Sequence, residues 1–116
     1  MSNKFIATIE PKDIMNSKAG IISAYEMCAG DIDLKSAIIS PNYGEFKTFI
    51  PTLLFIAEND VNRPDAELFC EMLTKNNIPL QVEYGKGLPH IYPLLTISEG
   101  RTALKKIIEY LLWNRK

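Results

Sequence analysis

The stretch "TLLFIAENDVNRPDAELFCEMLTKNNIPLQVEYGKGLPH", residues 52–90, decides the fold. It opens on a continuous apolar run, residues 52–57, the pattern of a strand buried on both faces. Residues 63–77 then read as a helix. Pro64 stands near its first turn, and Asp65 and Glu67 lie at its positive end. Ala66, Phe69, Cys70, Met72 and Leu73 supply a packing face, and Asn76, Asn77 and Pro79 stop it. Residues 80–84, "LQVEY", alternate apolar and polar, so they predict a second strand with one wetter face. Strand, helix and strand in this order make a right-handed βαβ unit with parallel strands. The fold class is therefore α/β.

Downstream, residues 98–114 predict a helix. Ser98 is placed as its N-cap, and Leu104, Ile107, Ile108, Leu111 and Leu112 form its apolar stripe. Lys105, Lys106, Arg115 and Lys116 read as its solvated face. Upstream, residues 31–51 read as loop and turn, punctuated by Pro41, Gly44 and Pro51. Residues 14–29 predict another helix, with Ile21, Ile22, Tyr25, Cys28 and Ala29 on one face and Gly30 as its stop. "FIATI", residues 5–9, reads as a short strand or an extended arm ending at Glu10 and Pro11. A central parallel strand at 52–57 needs a neighbour on each side. Residues 80–84 supply one. The other comes from residues 5–9, a second copy of the chain, or a different protein.

The 116 residues bound a single domain, and 47% apolar content suits a folded chain. A chain this long buries about two-thirds of its unfolded surface. The net charge of −1 leaves no electrostatic footprint for nucleic acid or an anionic membrane. Cys28 and Cys70 fall on apolar stripes and read as buried thiols in a reducing compartment. With His90 distant from both, no metal spacing exists, and neither metal nor cofactor is expected. No apolar run reaches the length of a membrane span, and the N-terminus lacks a signal-peptide layout. A cytoplasmic location is the expectation.

The chemistry concentrates at one edge. In open parallel sheets, functional groups gather just beyond the C-terminal ends of strands. The first strand runs into "ENDVNRPD", which places Asp60 there. The second runs into "GKGLPH", which places His90, the only histidine, beside it. Gly85 and Gly87 let that loop turn back toward the sheet. A carboxylate on one imidazole nitrogen fixes the tautomer and leaves the other nitrogen as a general base. The plainer readings are a hydrogen-bonded loop histidine and a solvated turn aspartate. Tyr43 and Tyr92 could line a substrate pocket or simply pack.

From about residue 11 onward, the chain resembles the C-terminal part of an α/β-hydrolase of the esterase/lipase group, the hormone-sensitive-lipase-like branch. Several elements fall in that family's order: "SPNY" at 40–43, a proline before an apolar strand, an acid after it, "PDA" opening a helix, and "GLPH" after the next strand. The resemblance implies that Asp60 is the triad acid and His90 the triad histidine. Asp65 matches a commonly acidic position at a helix start and is read as capping. Ala57 departs from a position that is often glycine.

One absence matters more. The family's nucleophile sits in G-x-S-x-G on a strand-to-helix turn, and this sequence has no such motif. Its serines are Ser2, Ser17, Ser23, Ser36, Ser40 and Ser98, none in that setting. The oxyanion-hole glycine run is missing too. The resemblance therefore implies the acid–base portion of a hydrolase, inactive alone. Its implied partner is a complementary N-terminal half carrying the nucleophile. Two alternatives stand beside this: a truncated, non-enzymatic remnant stabilised as a homo-oligomer, and a small binding module. No nucleic acid and no membrane is expected among the partners.

Overall fold

A computed structural model describes residues 5–113 of the chain. Its regular elements are α1 (Ile6–Ile9), α2 (Lys18–Ala29), β1 (Thr52–Asn59), α3 (Arg63–Lys75), β2 (Leu80–Pro89) and α4 (Ser98–Trp113). Single 3-10 turns lie at Glu10–Lys12, Pro41–Tyr43 and Tyr92–Leu94. β1 and β2 are parallel and in step from Thr52 opposite Leu80 to Ala57 opposite Gly85. α3 carries the chain from the end of one strand to the start of the other, which is the expected βαβ unit.

The segment before β1 departs from the sequence reading. Residues 5–9 are not a strand. Ile6 and Ile9 are both buried, and their spacing of three puts them on one side of a helical turn. α2 begins at Lys18 instead of residue 14, because two local bonds hold the preceding backbone open. One Asp13 carboxylate oxygen accepts from the Met15 and Asn16 amides, each at 2.9 Å. The Ser17 hydroxyl then caps the helix by accepting from the Gly20 amide. The expected stripe of α2 is mostly uncovered: Ala29 is buried, Ile21 and Ile22 are half-buried, and Tyr25 and Cys28 are exposed. Cys28 is thus not a buried thiol, and Cys70 is only partly covered.

The loop before β1 is anchored on α3. Phe46, Phe49 and Phe69 meet edge to face, with centroids 5.3 to 5.8 Å apart. Asn42 Nδ2 donates to the carbonyl of Asp65 in the first turn of α3. Ala57 of β1, Tyr92 and Ala103 of α4 form a buried cluster with Phe55, Leu88 and Leu95 against it. By strand alternation, the odd-numbered β1 residues face this cluster.

Among the described residues the sheet has only two strands, so the second edge of β1 carries no neighbour. β1 is accordingly buried only at Ile56 and Ala57, and Leu53, Leu54 and Phe55 are half-covered. β2 also inverts the expected wetter face. Val82 and Tyr84 are exposed, whereas Glu83 is partly covered and accepts a hydrogen bond from Lys106 of α4. Lys106 is therefore an ion-pair partner whose side chain stays partly solvated; Lys105 is exposed as expected. Arg115 and Lys116 lie outside the described residues, as does the predicted last residue of α4, Asn114. Ser98 is the first residue of α4, and its hydroxyl donates to the Glu99 carboxylate instead of accepting from a backbone amide of the first turn. No helix among the described residues is long and apolar enough to cross a membrane.

Candidate active site

The site is assembled by an irregularity in the strand pair. After Ala57 opposite Gly85, the next pairing is Asn59 opposite Pro89. β1 advances two residues while β2 advances four, so β2 bulges over Lys86–Leu88. Side chains of β1 stitch the bulge down. Glu58 accepts from the Gly87 amide at 2.6 Å, and Asn59 Nδ2 donates to the Gly87 carbonyl at 3.2 Å. Gly87 takes a left-handed φ of 69°, so it does turn the chain as expected. Gly85 serves otherwise. It is an ordinary strand residue, and a Cβ there would stand 2.6 Å from Cε1 of the Tyr92 ring. Its missing side chain is the space in which Tyr92 packs.

The bulge delivers His90 to Asp60. His90 Nδ1 lies 2.7 Å from Asp60 Oδ2. The other carboxylate oxygen accepts from the Asn62 backbone amide at 2.8 Å and from its side-chain amide at 3.1 Å. Both oxygens are thus engaged, and the carboxylate is aimed rather than merely near. Since a carboxylate only accepts, Nδ1 must carry the proton. Nε2 has no hydrogen-bond partner among the described residues. The Asp60 side chain is 12% exposed and that of His90 32%, so the pair is sheltered at the carboxylate and open at the ring.

Immediately after His90, Ile91 has a φ of 50°. A β-branched residue in this region costs about 1–2 kcal/mol. That strain turns the chain into the Tyr92–Leu94 turn and seats Tyr92 over Gly85. Burial, and secondarily the Glu83 charge, push the Tyr92 phenol above its ordinary value. A cavity of about 280 Å³ adjoins the pair, lined by Phe55, Ala57, Tyr92, Leu94 and Ile107 among others. It holds Tyr92 of the two tyrosines considered above; Tyr43 is exposed elsewhere. A larger hollow of about 580 Å³ lies by Pro51, Pro79 and Leu80, at the other ends of the strands and away from the pair.

Asp60 and His90 are therefore brought together at the C-terminal edge of the sheet, where the sequence places them. Asp65 sits in the first turn of α3. No serine or cysteine among the described residues is hydrogen-bonded to His90 or lines the cavity beside it. Sequence reasoning missed Glu58, Asn59 and Asn62, which fix the bulge and the carboxylate. A polar run following an apolar strand was the available signal, but it does not say which side chain turns inward. Asp13 was missed as well; its Oδ2 accepts from the Val61 amide at 2.9 Å.

Comparisons with known proteins fit this fold. A sequence model described as the α/β-hydrolase fold matches residues 2–94. A solved candidate esterase from Staphylococcus aureus superposes with a TM-score of 0.89 at 23% identity, covering 95% of this chain and 38% of its own. EstE5 gives 0.88 at 20% identity, covering 94% of this chain and 38% of its own. EstE7, a homologue of hormone-sensitive lipase from a metagenome library, gives 0.85 at 15% identity, covering 90% and 37%. The chain thus spans 37% to 38% of the length of these structures. A comparison with curated proteins yields no match.

Proposed function

The chain belongs to the α/β-hydrolase fold family, and from that premise we propose that Asp60 and His90 are the acid–base part of a serine esterase. His90 is the general base and Asp60 its orienting acid. The nucleophile comes from outside residues 1–116, on a complementary polypeptide or on chain that precedes them. The observation that carries this reading is the 2.7 Å contact between His90 Nδ1 and a carboxylate whose other oxygen is already held by Asn62. In the neutral ring that arrangement puts the proton on Nδ1 and leaves Nε2 free to accept. Nε2 can then take a proton from an incoming hydroxyl while Asp60 stabilises the imidazolium that forms. The esterase descriptions of the similar structures supply the reaction class, acyl transfer from an ester to water.

The test is reconstitution. The 116-residue chain alone is expected to leave a short-chain p-nitrophenyl ester intact. Co-expression with a polypeptide supplying the N-terminal part of the fold, with its G-x-S-x-G turn, is expected to give hydrolysis. His90→Ala should then lower the rate by about 10⁴-fold or more, and Asp60→Asn by about 10⁴-fold. Hydrolysis indifferent to His90→Ala would remove the reading. A second reading, a folded body without catalysis that is stabilised by self-association, draws on the exposed apolar residues of α4. It predicts no hydrolysis with any nucleophile-bearing half.

A further inference from the structure

The loop that carries Asp60 is bonded almost entirely to itself. The Asp60 carbonyl accepts from the Arg63 amide, Asp60 Oδ1 from the Asn62 amide, and the Asn62 carbonyl from the Asp65 and Ala66 amides. The amide of Val61 has no partner within this loop. Val61 is fully buried, so water cannot satisfy it. Its partner is a carboxylate 48 residues earlier in the chain: Asp13 Oδ2 accepts from it at 2.9 Å. Asp13 is itself immobilised, because its other oxygen accepts from the Met15 and Asn16 amides. One side chain thus ties the folded-back N-terminal segment to the peptide that follows Asp60.

We propose that Asp13 is a positioning residue for the Asp60–His90 pair, setting the loop from which the Asp60 carboxylate meets His90 Nδ1. The proposal rests on the reading of that pair as the acid and base of an esterase. Asp13 touches neither the ring nor any reacting atom. It acts through the Val61 amide, whose place decides where the preceding Asp60 side chain starts and where the following Asn62 amide points. A carboxylate suits the task because both of its oxygens accept. An amide side chain has only one accepting oxygen. In Asp13→Asn, the single oxygen is retained by the two local amides at 15 and 16, and the NH₂ group is turned toward the Val61 N–H.

The experiment uses that asymmetry on the whole chain. His90 is the only histidine, so its ring signals need no sorting. Long-range ¹H–¹⁵N correlations from the ring C–H protons report which nitrogen is protonated when the ring is neutral. Amide hydrogen exchange reports Val61, with Ile56 as an internal reference and urea melts as a global one. The wild type is expected to hold the Nδ1–H tautomer, and Asp60→Asn to lose it. Asp13→Asn is expected to accelerate Val61 exchange at least tenfold relative to Ile56 and to shift His90 to a mixture of tautomers. Asp13→Ala should do the same and also free the amides of Met15 and Asn16.

The failures are distinguishable. If the wild type and Asp60→Asn show the same tautomer mixture, the acid–base reading falls and the positioning proposal falls with it. If Asp60→Asn loses the tautomer while Asp13→Asn keeps it, the pair stands and the positioning role is overturned. A lowered melt in Asp13→Asn with the tautomer retained marks Asp13 as structural only, which also overturns the proposal. Should Asp13→Ala fail to fold, Asp13→Asn still decides, since it retains the local turn.

Discussion

At the residue scale, the pair depends on small features that carry no chemistry of their own. Gly85 and Gly87 are two residues apart and both precede His90, yet they fail differently when substituted. In Gly85→Ala the new methyl meets the Tyr92 ring at 2.6 Å and Leu88 Cδ1 at 3.0 Å. Tyr92 is 5% exposed and its ring meets Phe55 edge to face, so it cannot simply swing away. The expected cost is about 1–3 kcal/mol, as for other overpacked sites. Because Tyr92 follows His90 by two residues, the ring displacement is also expected to disturb the contact with Asp60. In Gly87→Ala nothing crowds the methyl, and only the left-handed φ of 69° is penalised, by about 1–2 kcal/mol. Urea melts with the His90 tautomer as a second readout separate the two. Gly85→Ala is expected to lose both stability and the Nδ1–H tautomer, and Gly87→Ala stability alone. A retained tautomer in Gly85→Ala would mean that Tyr92 does not help to seat His90.

At the scale of elements, β2 and α4 are joined by Glu83 and Lys106. The hydrogen bond from Lys106, and next that from Gln81, holds the Glu83 carboxyl below its ordinary value. The sign follows from linkage. A carboxylate depressed in the folded state stabilises fully above its unfolded pKa, about 4.3, and that contribution is lost as pH falls through the lower folded value. Lys106 is 42% exposed at the side chain, so screening limits the pair to about 1 kcal/mol or less at neutral pH. Glu83→Gln is expected to cost that much at pH 7 and to have a shallower loss of stability below about pH 4.5 than the wild type. Parallel pH profiles for the two would exclude the linkage. This pair also shows where sequence legibility ended. β1, α3, the start of β2 and α4 were readable because each has its own apolar period or punctuation. Asp60 and His90 were readable because parallel strands present their following residues at one edge. The bulge was not, because it is held by Glu58 and Asn59 of the other strand. The covered Glu83 was not either, since strand alternation says which residues share a face but not which face is covered. Ser17 was a local cap in plain sight, yet it was placed inside a helix whose predicted start, residue 14, lies four residues before that of α2.

At the scale of the molecule, the chain is looser than its length calls for. Its radius of gyration is 15.3 Å, against about 13 Å for a compact domain of this size. The reason lies in uncovered apolar faces. On α4, Gly100, Ala103 and Ile107 turn inward, but the apolar arc continues through Leu104, Ile108, Leu111 and Leu112, which are 42% to 61% exposed. Among the described residues β1 has a strand on one side only. An open parallel edge and an adjoining apolar helix face are surfaces that associate in water. The isolated chain is therefore expected to self-associate, with sedimentation giving a mass that rises with concentration. Ile108→Glu with Leu112→Glu should shift it toward monomer without lowering the urea midpoint appreciably, because neither side chain is in the core. The same surfaces are those a complementary half would cover in the proposed esterase, so the two occupants compete. Adding the nucleophile-bearing half should disperse the self-associated chain into a 1:1 complex, and the double variant should weaken both assemblies. Self-association that persists in the double variant would place the contact elsewhere, on β1 or α2. A 1:1 complex formed as tightly by the double variant would show that the other half does not rest on α4.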